Sequence, residues 1–255
     1  MKILLYSLAI TALAVPAFGE TFSHDRWGRV LQEFVNEEGL VDYQALSENR
    51  GDLDAYIAQV QKYSPESHPE MFPTRDHELA YYLNAYNAQI FLGVLREDIP
   101  SSVWGFLGIG HGFFVGMDIT IGGRKTNLKK LEDVDIREGY EDPRIHAALN
   151  CASISCPRLP REPFLPDALQ AQLDAAMTEF VTTSRGFDLD REDQEVHLSK
   201  IFDWFEGDFL AYEKSQGSKS PNLIDYVNRY RGSEPKIPAD YDVEFLPYDK
   251  DLNSQ

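Results

Sequence analysis

Cysteine is nearly absent. Cys151 and Cys156 are the only two in 255 residues, which excludes a disulfide-built scaffold and leaves an apolar core to hold the fold. Positive charge is also scarce: 24 Lys and Arg stand against 42 Asp and Glu, a formal charge of −18. Such an excess of acid repels phosphate backbones and anionic headgroups, so nucleic acid and anionic membrane surfaces are not expected partners. Beyond the first residues no apolar run approaches the ~20 residues that a membrane span needs. Internal repeats, low-complexity tracts and Gly/Ser linkers are missing, which argues against a repeat array or a string of modules.

What is present begins at the N-terminus. Met1-Lys2 supplies one positive charge, Ile3–Val15 is apolar, Pro16 breaks the run, and Ala17-Phe18-Gly19 places small residues at the −3 and −1 positions. That order predicts a secretory signal peptide, residues 1–19, and a periplasmic protein with no membrane span after cleavage. No Cys sits near the cleavage point, so no lipid anchor is expected. Removing 19 residues from 255 leaves 236, and losing Lys2 takes the charge from −18 to −19. Residues 20–255 are read as a single α+β domain.

Helices are predicted first: His24–Glu37, Leu53–Tyr63, and a long one from the Thr74 cap to Arg96. The third is apolar nearly all round, which marks a buried central helix. Later segments mix strands and helices, with a Gly122-Gly123 hairpin turn and strands at Phe113–Val115, Ile145–Leu149, Phe187–Leu189, Val196–Leu198 and Val243–Leu246. The expected architecture is this helix packed against a mostly antiparallel sheet.

Two segments carry polar chemistry. On the apolar helix, Tyr82-Leu-Asn84-Ala-Tyr86-Asn87 places two amides one turn apart. A buried amide without partners costs ~1–3 kcal/mol, so these either tie the helix to neighbouring backbone or line a site. The second segment, Asp142–Pro157, holds Arg144, His146, Asn150, Ser153 and both cysteines. A thiolate is the strongest side-chain nucleophile and a nearby His can serve as its base. On one regular strand His146 and Cys151 would face opposite sides and lie ~16 Å apart, so direct contact requires the chain to fold back near Asn150.

No metal or cofactor is expected. Cys151, Cys156 and His146 lack a fourth ligand in spacing. The acidic run Asp188–Glu195 lacks the sixth-position Gly of a calcium loop and reads as a hairpin tip.

Tyr82–Asn87, the His146…Asn150-Cys151-x4-Cys156-Pro157 run and Leu198-Ser-Lys-Ile-Phe-Asp-Trp-Phe205 together resemble the signature blocks of the "domain of unknown function 547" family. The blocks fall in order over about 78–209. The resemblance implies a shared fold and a shared polar site, and supplies no activity. The order of a buried helix followed by a strand bearing His also resembles, distantly, papain- and transglutaminase-like enzymes. Those carry Cys on the helix, where this chain has Asn84 and Asn87.

Three readings stay open. A thiol-dependent hydrolase or acyl transferase would use Cys151 as nucleophile and His146 as base. Asn87 or Asn84 would orient the base or hold an oxyanion, with Tyr86, Arg144, Asn150, Ser153 and Cys156 around them. A catalytically inactive periplasmic domain would use the same polar pocket to bind a small molecule or peptide. A redox protein would cycle the Cys151–Cys156 pair, although its spacing is not that of thioredoxin-like motifs.

Overall fold

The computed structural model describes residues 20–105 and 111–255; the expected signal peptide, residues 1–19, lies outside them. Helix α1 (Asp25–Phe34) buries Trp27, Val30, Leu31 and Phe34. Short α2 (Tyr43–Glu48) leads to α3 (Gly51–Lys62), which buries Leu53, Tyr56, Ile57 and Val60. Helix α4 (Arg75–Arg96) starts where the sequence places it, with Thr74 Oγ1 accepting the His77 N–H. Every residue from Leu79 to Val94 is buried.

A hairpin of β1 (Ile119–Ile121) and β2 (Arg124–Thr126) turns at Gly122-Gly123, both in the left-handed region. Helix α5 (Leu128–Lys130), capped by Asn127, continues as wider helical turns to Glu138. Helix α6 (Leu169–Phe180) follows, then the antiparallel pair β3 (Phe187–Asp190) and β4 (Glu195–Leu198). At its acidic tip, Asp190 Oδ1 accepts the N–H groups of Glu192 and Asp193. Helices α7 (Lys200–Trp204), α8 (Glu206–Ser215) and α9 (Leu223–Tyr230) cross over to β5 (Asp242–Phe245), which lies parallel to β4.

The α+β reading holds, but three expectations are corrected. The strands have three or four residues and span only ~10–13 Å, against ~33 Å for the 22-residue α4. They cannot cover that helix, which packs chiefly on α2, α3 and the helical turns after α5. Phe113–Val115 belongs to a helical turn, in which the adjacent buried rings of Phe113 and Phe114 touch (centroids 5.1 Å apart), as opposite-facing neighbours on a strand cannot. Residues Pro143–Ala147 form a 3-10 turn, started by Pro143 and by Asp142 Oδ1 accepting the Arg144 N–H.

Among the described residues two apolar clusters make the core. One surrounds α4 with α1 and α3; the other joins α8 and α9 to β3 and β4. Ile145 and Ala148 belong to the first and Ala147 to the second, so the polar segment runs along their seam. Among the described residues no helix is long and apolar enough to cross a membrane.

Candidate functional site

The two helix amides act as backbone clamps. Asn87 Nδ2 donates to the Ala148 carbonyl (3.0 Å), and its Oδ1 accepts the Asn150 N–H (2.9 Å). One turn earlier, Asn84 makes the same paired contact with Phe164, donating at 2.7 Å and accepting at 3.0 Å. Its Nδ2 also lies 3.2 Å from His24 Nδ1. Buried peptide groups demand partners, and each amide supplies a donor and an acceptor to one loop. In this structure the Asn87 amide is engaged by loop backbone, and so fixes the chain that carries the histidine.

Beyond Asn87 the chain folds back, as contact within the segment requires. Asn150 Oδ1 accepts the Ala152 N–H (2.9 Å) while its Nδ2 donates to the Pro157 carbonyl (3.0 Å). Ala152 sits at φ +60°, a left-handed conformation that costs a non-glycine residue of order 1 kcal/mol or more. Inside this turn Cys151 and Cys156 form a disulfide. The nucleophile expected from the sequence is thus oxidised in this structure. The N–H groups of Cys151 and Ser153 point at Cys156 Sγ, at 3.1 and 3.4 Å. Tyr248 Oη lies 3.3 Å from both sulfurs, which as disulfide atoms can only accept its proton. Ser153 is fully buried and accepts the Trp104 Nε1–H at 2.7 Å.

His146 faces a different partner from the one expected. Its Nε2 is 2.8 Å from Asp208 Oδ2, not bonded to Cys151, and its ring stacks on Phe205 with centroids 4.2 Å apart. Asp208 also accepts from Nε and Nη2 of the Arg137 guanidinium, at 2.9 and 3.1 Å. Burial opposes the charge of Asp208, but hydrogen bonds from His146 and Arg137 outweigh it and hold the carboxyl well below the usual range. Burial dominates at His146 and lowers its pKa despite Asp208. The stable arrangement at neutral pH is an ionised Asp208 accepting from a neutral imidazole protonated at Nε2, which leaves Nδ1 as an acceptor.

A cavity of about 330 Å³ opens over this seam. His146, Cys151 and Tyr86 line it, so it unites three residues named from the sequence. Asn87, Asn150, Ser153 and Cys156 support it from behind, whereas Asn84 serves the Phe164 loop. Arg144 is elsewhere, paired with Asp142 (2.6 Å) and Asp174 (2.8 Å).

Most of the other walls were not legible, among them Trp104, Phe114, Glu132, Trp204, Phe205 and Tyr248. Trp204 and Phe205 lie in the third motif, whose run of aromatic residues was the available signal. Tyr86 donates to Glu132 Oε2 (3.1 Å), and burial raises the Glu132 pKa. A larger groove of about 450 Å³ holds Arg158, Arg161 and Arg185 with Glu37 and Glu179, and none of the residues named from the sequence lines it.

Among the described residues no group of His, Cys, Asp and Glu is arranged to hold a metal ion. Neither the curated proteins nor the solved structures compared with this chain include a match. Residues 70–181, which carry Asn84, Asn87, His146 and both cysteines, match the model of the family described as a protein of unknown function, DUF547, the family its motifs resemble.

Proposed function

We propose that the chain is an exported binding domain that holds a small molecule in the aromatic cavity. The observation that carries this reading is the cavity itself. Residues from Tyr86 to Tyr248, far apart in sequence, converge on one concave site with mostly apolar walls and a few polar groups. Small-molecule sites have that composition. The disulfide supports export, because such pairs persist in oxidising compartments.

The test uses Trp204, which lines the cavity yet is 43% exposed. The neutral apolar probe N-phenyl-1-naphthylamine is expected to bind with enhanced fluorescence. Trp204→Ala is expected to weaken binding roughly tenfold, from lost ring contact, with little change in melting temperature. Equal probe affinity in wild type and variant would sink the assignment of the cavity.

A second reading rests on Cys151 and His146 lining the same cavity. Reduction of the disulfide would expose a thiol there, as a hydrolase or acyl transferase of distantly papain-like order requires. One intact-mass measurement separates the two readings and tests export. Protein from the expressing cells is expected to begin at Glu20 and to take up iodoacetamide only after reduction. A mass that includes residues 1–19 removes the export proposal. Fast alkylation without reductant, abolished in His146→Ala, replaces the binding reading with the thiol one.

A further inference from the structure

We propose that the cavity selects an organic cation of the quaternary ammonium class, caged by aromatic rings and neutralised by Glu132. This rests on the binding reading and names its ligand.

Three observations converge. The first is the shape of the wall. Trp104, Trp204 and Tyr248 are mutual neighbours, with ring centroids 4.7–6.2 Å apart and planes inclined by 46–74°. Inclined rings make a faceted surface instead of closing into a stack, and cations already sit on two rings of this wall: Lys250 Nζ lies 4.8 Å from the Trp104 centroid and the Arg137 guanidinium 4.7 Å from that of Phe205. Phe114, Phe205 and Tyr86 extend it around the cavity. Aromatic faces carry negative charge density and attract cations within ~6 Å, and a permethylated ammonium needs no hydrogen-bond acceptors to be satisfied.

The second is the charge balance. Lys129 lines the cavity, but its Nζ is 2.6 Å from both oxygens of Asp133. Arg137 is held by Asp133 and Asp208. Two cations and two carboxylates therefore compensate one another. Lys129 and Arg137 also act through space, but without an ion pair, on Glu132. Tyr86 hydrogen-bonds it, and among the described residues no cation lies within ion-pair distance of its carboxylate. A ligand cation completes this site.

The third is the long-range field. A formal charge of −18 draws cations toward the protein and repels anionic competitors.

The test compares choline chloride with 3,3-dimethyl-1-butanol, which has the same shape and hydroxyl but carbon in place of the charged nitrogen. Binding to the full protein is followed by tryptophan fluorescence at low ionic strength. Choline is expected to bind at least about tenfold tighter than the alcohol, the order of a desolvated cation–π contact with a counter-charge. Glu132→Gln keeps a hydrogen-bond partner for Tyr86; it is expected to lower choline affinity about tenfold and leave the alcohol unaffected. Equal affinity for the two compounds, or an unchanged choline affinity in Glu132→Gln, overturns the cation assignment while leaving the cavity as a binding site. Absence of choline binding in protein that still binds N-phenyl-1-naphthylamine in a Trp204-dependent way also overturns it. None of these choline results touches the binding reading, which is tested by that probe and by alkylation.

Discussion

Asn87→Leu is expected to lower the free energy of unfolding by roughly 2–6 kcal/mol. The two side chains are similar in size, so the cost is polar. Losing the amide strands the Ala148 carbonyl and the Asn150 N–H, which lie on buried residues, and each unsatisfied group costs ~1–3 kcal/mol. Domains are stable by only ~5–15 kcal/mol, so a large part of the total is at stake. The same substitution releases the backbone on which His146 and Cys151 sit, so affinity for the naphthylamine probe should fall with it. Urea denaturation at neutral pH measures the first effect. A loss below 1 kcal/mol would mean that water or backbone movement replaces the clamp, and that Asn87 does not position the site.

Acidification from pH 6.5 to 4 is expected to remove about 3 kcal/mol of stability through His24. Its ring is 5% exposed, and its Nδ1 lies 2.8 Å from Tyr56 Oη and 3.2 Å from Asn84 Nδ2. An amide nitrogen only donates, so Nδ1 must be a proton-free acceptor there. Burial pushes the folded pKa down to about 4, from 6.5 in the unfolded chain. Between these values the unfolded state binds the extra proton and the folded state does not, so stability rises with pH across that window. One pKa unit is worth ~1.4 kcal/mol, and the separation gives about 3. His146 is also lowered by burial and contributes with the same sign. Asp208 acts further down: its folded pKa is depressed, so its contribution is present above the unfolded carboxylate pKa and is lost only as pH falls below it. His24→Gln keeps a polar group beside Tyr56 and Asn84 but does not titrate. Its stability at pH 4.5 relative to pH 7 should be markedly less pH-sensitive than that of wild type. Identical pH profiles would refute the role given to His24.

These effects mark the division between what the chain declares locally and what only folding assembles. Helix α4 is readable from Thr74 to Arg96, because a cap and a 3.6-residue apolar rhythm are properties of neighbouring residues. The hairpin turn at Gly122-Gly123 is readable for the same reason, as are the first two motif blocks, which lie within the matched residues 70–181. The demand of Asn84 and Asn87 for partners was equally plain, since an amide on an apolar helix must be satisfied somewhere. Which loops satisfy it was not: Ala148, Asn150 and Phe164 lie 61–80 residues further along the chain. Contact between the buried rings of two adjacent phenylalanines converted an expected strand into a helical turn at Phe113, and the Asp142–Pro143 start did so at His146. The Cys151–Cys156 pair, five residues apart, was a local possibility that the sequence left open, whereas the tertiary structure alone decided that His146 would meet Asp208. It also decided that Trp104, Glu132, Trp204 and Tyr248 would wall one cavity. No periodicity links such positions, because their proximity arises from the packing of whole elements and the return of the C-terminal segment against Ser153 and Val41.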